Sequence, residues 1–185
     1  MQSPPPAAGR PRGRPSPARR WAPAGFVLVT AAVAGVLWLS RSLHPGAVAT
    51  DLALFLHLAS VVFGFGAVLA VDWVALLWVA GRRRFGDVLR AADNVHIPVW
   101  FGYAGLLVTG ALLRPDLTSG LTWAKMLLVL AVGWNGVAAM VLHTRLAAAG
   151  GSPPTRPLLV WSAASAAISQ VAWWGATVIG FLNAI

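Results

Sequence analysis

The sequence has no cysteine and no glutamate, and its single lysine is Lys125. Without cysteine there is no disulfide, no thiolate metal ligand and no Cys nucleophile. Without glutamate there is no Glu general base, and the five acidic residues are all aspartates. Charged residues of either sign make up only 10% of the chain, against about 25% in ordinary soluble domains. No phosphate-binding loop, HExxH, GxSxG or dinucleotide fingerprint is present. These absences exclude a disordered chain, a nucleic-acid binder with a wet basic surface, and most soluble enzymes.

What the sequence does have is apolar surface. Hydrophobic side chains make up 58% of its 185 residues, and the mean hydropathy is +0.72. The expected fold class is therefore all-α: a polytopic membrane helix bundle. The net charge of +9 and pI near 11.9 would suggest a nucleic-acid partner in a soluble protein. Here the basic residues lie between apolar runs and follow the positive-inside bias instead. No nucleic-acid partner is expected, and the lipid bilayer is the expected surrounding. Low lysine with abundant Ala, Gly, Pro and Arg is a composition common in GC-rich bacteria.

Residues 1–22 read as a disordered tail rich in Pro and Arg, able to touch anionic head groups. Residues 23–185 read as the membrane domain. Five apolar runs fall at about 23–40, 52–80, 95–113, 121–142 and 158–182. Spanning the hydrocarbon takes roughly 20 helical residues, and backbone in lipid must bond to itself. The expectation is five transmembrane helices, a four-helix core plus an N-terminal helix. Trp21, Trp78, Trp123 and Trp161 sit near run ends as interfacial anchors.

The loops set the expected orientation. The tail and the segments 81–94 and 143–157 carry eleven arginines, while the other side carries Arg41 and Arg114. The N-terminus is expected to be cytoplasmic, in a bacterial cytoplasmic (inner) membrane. The basic start, the first apolar stretch and Ala47-Val48-Ala49 also resemble a cleavable signal peptide. Either way, residues 52–182 form the same four-helix core.

Ionisable residues inside spans are costly and usually serve a purpose. His57 lies near one end of the second run, with Gly64 on the same face. Lys125 lies at matching depth in the fourth run. The pair reads as ligands of a haem iron or as a proton-handling pair; otherwise Lys125 snorkels and His57 bonds a carbonyl. His143 shares a face with Lys125, roughly 27 Å away by helical rise. His96 opens the third run at the same depth as His143, so these two form a secondary candidate site or pair with Asp93 or Asp87. Asp72 lies within the second run and needs a partner, with Asn135, Gln170 or Tyr103 available. It reads as a proton relay or as a hydrogen-bonded structural residue. Asn135, Ser165, Ser169, Gln170 and Thr177 are expected to bridge helices.

The order of these features carries a resemblance. The second run reads Phe55-Leu56-His57-Leu58-Ala59-Ser60-Val61-Val62-Phe63-Gly64. A basic loop with Arg83-Arg84-Phe85 and Leu89-Arg90 follows, then His96-Ile97-Pro98, then Trp123-Ala124-Lys125-Met126-Leu127-Leu128-Val129-Leu130. Over about residues 52–146 this resembles the bacterial membrane-bound, haem-containing protoporphyrinogen IX oxidases (HemJ type) and the related CopD-like small membrane proteins. The chain departs from that pattern at Val71-Asp72, where the family carries Pro-Arg. It departs again at Trp134-Asn135, where the family carries Tyr-His, and at Arg156-Pro157, and it adds a first helix. The resemblance implies a four-helix core and a haem b site at His57 and Lys125. It also implies an electron-transfer or oxidoreductase role, with a tetrapyrrole or quinone-like electron carrier as partner. Two other functions stay open on the residues alone: a transport protein with Asp72, His57 and His143 lining a path, or a structural or assembly protein without a cofactor. Homo-oligomer formation is open as well.

Overall fold

The computed structural model describes residues 17–149 and 154–183. It contains five α-helices: α1 (Pro17–Ser40), α2 (Ala47–Val79), α3 (Phe85–Leu112), α4 (Gly120–Ala148) and α5 (Arg156–Leu182). No strand occurs among the described residues. All five helices are long and apolar enough to cross a membrane, the build of a multi-pass membrane protein. They alternate in direction. One end of the bundle carries the α2–α3 turn with Arg82, Arg83 and Arg84, and is called the arginine end below.

Several helix ends differ from the hydropathy reading. The tail expected over residues 1–22 is helical from Pro17 onward, and residues 1–16 lie outside the described residues. Pro23 falls early in the membrane portion of α1, Trp21–Ser40, where a missing N–H disturbs few bonds. α3 begins at Phe85 rather than near Val95. The reason is local: the Asp87 carboxylate accepts the Arg84 backbone N–H at 2.9 Å and pairs with Arg90 one turn on. A capped charged turn thus continues the apolar helix. Pro98, expected at the start of this helix, lies in its interior. α2 begins at Ala47, so the Ala47-Val48-Ala49 stretch forms its first turn. At its far end, Gly81 takes a left-handed φ of 73°. The Gly81 N–H bonds the Trp78 carbonyl and the Arg82 N–H bonds the Leu77 carbonyl, closing the helix as glycine typically does.

The helices pack as two hairpins, α2 with α3 and α4 with α5. α1 is wedged against both α3 and α4, which touch each other little. Val29 of α1 is buried in the common core with Tyr103, Val132 and Trp173. The Trp134 indole N–H donates to the Thr30 hydroxyl at 3.0 Å, and Phe26 meets the Trp134 ring edge-on. The N-terminal helix is therefore part of the core and not an appendage to four others. Few side chains are fully buried, and many large apolar ones, such as Phe63, Phe101 and Val171, face outward. Outward apolar side chains suit lipid, which solvates them as well as a protein interior does.

The α2–α3 contact is the closest in the bundle. A Cβ on Gly102 would lie 2.5 Å from the Gly64 Cα, far inside van der Waals contact. One on Gly105 would collide with the Ser60 hydroxyl. Small residues in register let the two backbones approach, a common solution between membrane helices.

Candidate functional site

The level of the site follows from helix geometry. Gly64 of α2 meets Trp173 of α5, since a Cβ on Gly64 would lie 3.1 Å from the indole. That indole stacks on Phe65 with centroids 5.4 Å apart and planes within 4°. His57 lies two turns from Gly64, away from the arginine end. Gly180 lies two turns from Trp173 in the same direction. At 1.5 Å per residue both are displaced by about 10 Å. Lys125 of α4 reaches this level too, its Nζ 3.3 Å from where a Cβ on Gly180 would be. From α3, a Cβ on Gly110 would lie 3.8 Å from the His57 Cε1. Four helices thus each bring a residue to one level above an aromatic pair. His57 beside Gly110 and Lys125 beside Gly180 thus stand at the same level of the bundle.

Thr109 orients the imidazole. It is buried in α3, with 5% of its surface exposed. Its hydroxyl oxygen lies 2.6 Å from the Gly105 carbonyl and 2.8 Å from the His57 Nδ1. A hydroxyl has one proton. Given to the carbonyl, which can only accept, it leaves lone pairs facing His57. Nδ1 must then be the nitrogen that carries hydrogen. This assignment rests on the hydrogen-bond network, as tautomers do. Nε2 keeps its lone pair and has no hydrogen-bond partner among the described residues. A histidine tethered through Nδ1–H with Nε2 free has the arrangement of a metal-ligating or proton-accepting imidazole. Lys125 likewise has no ion-pair partner among the described residues.

The glycine seam explains why these groups meet. Gly64 on Gly102 sets the α2–α3 distance and register. Moving along both antiparallel helices by two turns carries α2 to His57 and α3 to Thr109. Sequence reasoning did not single out Thr109. Its signal was its place as the sole polar side chain in the outer apolar stretch Leu106–Gly110 of α3.

Most of the remaining polar residues are partnered. Gln170 Nε2 donates to the Asp72 carboxylate, and the Trp174 indole N–H donates to Gln170 Oε1 at 3.0 Å. Of the three partners expected for Asp72, Gln170 is the one it meets. Asn135 and Ser165 exchange two bonds: Asn135 Nδ2 to the Ser165 carbonyl and the Ser165 hydroxyl to Asn135 Oδ1, both at 3.0 Å. His143 Nε2 lies 3.3 Å from an Asp93 carboxylate oxygen. The angle there does not satisfy a hydrogen bond, and Nε2 is otherwise buried without a partner. His96 is exposed, with Nδ1 2.6 Å from the Asp93 carbonyl in its own helix. The secondary candidates His96 and His143 therefore both approach Asp93, at different atoms. Among the described residues no group of three or more His, Asp or other ligating side chains forms a metal-holding cluster.

Compared with known proteins, the chain matches no family model, no curated protein and no solved structure.

Proposed function

We propose that the protein is a multi-pass membrane haem b protein acting in electron transfer or tetrapyrrole oxidation, with His57 as the iron ligand and Lys125 beside it. The observation that carries this reading is the hydrogen bond from His57 Nδ1–H to the Thr109 hydroxyl. It leaves Nε2 as the sole free donor atom of a fixed ring. The residues fit the group in three ways. The ring is tethered by a neutral acceptor. Gly110 and Gly180 leave the walls beside His57 and Lys125 without side chains. The stacked pair of Phe65 and Trp173 adds an apolar aromatic layer about two turns away. Haem sites in helix bundles are built in this manner, from side chains on facing helices.

When bound, haem b supplies one-electron redox chemistry. The chain's own residues do the rest. Thr109 holds the imidazole by Nδ1 and leaves Nε2 free. Lys125 has two uses: as an ammonium it pairs with an anionic edge of a tetrapyrrole, and once deprotonated it is a second nitrogen donor. The electron carrier on this reading is a tetrapyrrole or a quinone-like molecule. The membrane is a bacterial cytoplasmic membrane with the arginine end and the N-terminus inside, in keeping with the charge asymmetry of the loops.

The test is an oxidised-minus-reduced visible spectrum of the detergent-purified full chain, expressed with added haem precursor. A Soret band lost in His57→Ala and shifted or weakened in Lys125→Met supports the reading. A colourless wild-type protein overturns it and leaves transport, read by ion uptake in vesicles, or a structural role.

A further inference from the structure

At the arginine end, the α2–α3 turn forms an open depression of about 490 Å³ lined by Gly81, Arg82, Arg83, Arg84, Asp87 and Arg90. We infer that this depression binds the phosphodiester head group of an anionic phospholipid. The inference is independent of the haem reading, since it uses neither His57 nor Lys125.

Charge within the depression is unbalanced. Four guanidinium groups face one carboxylate. That carboxylate is already engaged, accepting the Arg84 backbone N–H and pairing with Arg90. Arg82, Arg83 and Arg84 then have no carboxylate partner among the described residues. Three uncompensated guanidiniums on adjacent residues repel one another unless an anion joins them. Each presents a planar fork of donors that matches phosphate oxygens. The left-handed turn at Gly81 places all three directly beyond the last turn of α2. Arg145, near the same end on α4, is occupied at 5.0 Å over the Trp161 ring.

Depth selects the source of the phosphate. Trp78 and Phe85 flank the turn and pack on each other with centroids 5.1 Å apart. Tryptophan in that position marks the head-group layer. The ring pair offers apolar surface to the upper acyl chain while the arginines face the phosphate. A soluble phosphate would use the guanidiniums but not the rings. Basic clusters at the end of a span attract anionic lipid in this way.

The test uses the full chain, purified in mild detergent. Native mass spectrometry counts retained lipid after addition of phosphatidylglycerol or, separately, phosphatidylcholine. The expected result is preferential retention of phosphatidylglycerol. The triple variant R82Q/R83Q/R84Q should lower that retention by about tenfold or more, given an electrostatic contribution from every arginine near the surface. The conservative triple R82K/R83K/R84K should keep most of it, and R41Q/R114Q at the opposite end should leave it unchanged. Far-ultraviolet circular dichroism of each variant confirms that the helices persist. Equal retention by wild type and the glutamine triple overturns the inference, as does equal retention of both lipids. Displacement of the lipid by millimolar inorganic phosphate also overturns it, by assigning the depression to the free anion.

Discussion

The two halves of the bundle treat their polar residues differently. Toward the arginine end, most polar groups are spent on one another: Asp72 on Gln170, Gln170 on Trp174, and Asn135 on Ser165. Toward the other end, His57 spends one nitrogen on Thr109 and keeps the other. Lys125 pairs with no carboxylate among the described residues. Satisfied polar groups between helices are structural ties, and losing one partner strands the other. Groups left with spare capacity have something else to bind. The contrast separates residues that hold the fold from residues that offer chemistry, although both kinds look alike as isolated polar letters in an apolar run.

Substitutions can break or sharpen this contrast. The largest effect is expected at the seam on which the second half depends. Gly102→Val should force α2 and α3 apart and cost about 3 kcal/mol, the upper part of the usual overpacking range. Thermal unfolding in detergent measures it, and a variant as stable as wild type would show that the seam is not tight. Next is Gln170→Leu, which leaves the Asp72 carboxylate without its donor. It should cost about 2–3 kcal/mol, the penalty for stranding a charged group. The companion Asp72→Leu/Gln170→Leu should recover most of that loss, because the carboxylate is gone and only the exposed Trp174 indole N–H loses a partner. Thr109→Val keeps shape and removes the acceptor from Nδ1–H, for about 1–2 kcal/mol. On the proposed haem reading, and unlike Gln170→Leu, it should also alter the visible spectrum, since the imidazole loses its tether. The smallest effect on stability is Lys125→Met, within about 0.5 kcal/mol, as for residues outside any network. A large loss of stability there would place Lys125 among the structural ties and remove the contrast.

The five spans were legible because hydropathy over about 20 residues is a strong signal. The helix ends were less so. Phe85–Asn94 is charged and falls outside any apolar window, yet Asp87 caps it into α3. Likewise Pro17–Ala22 joins α1 across a boundary that composition alone assigns to a tail. His57, Lys125 and Asp72 stood out because ionisable groups in lipid are rare. Their partners did not stand out to the same degree. Gln170 was one of three choices for Asp72, and its selection depends on how α5 leans on α2. Thr109 lies 52 positions from His57, and a threonine in a membrane helix ordinarily bonds its own carbonyl. It does so here as well, to Gly105. Only the register imposed by Gly64 and Gly102 adds the second bond.

The wedged position of α1 has a consequence for the order of assembly. The α2–α3 hairpin can close as soon as both helices have left the ribosome, since its partners are neighbours in the chain. α1 is made first, but Thr30 waits for Trp134, 104 positions later. Until then its hydroxyl is provided for by the Phe26 carbonyl at 2.8 Å, so the early helix carries no stranded donor into lipid. α1 thus completes its docking only when α4 arrives, and a chain halted before α4 would leave it held by α3 alone.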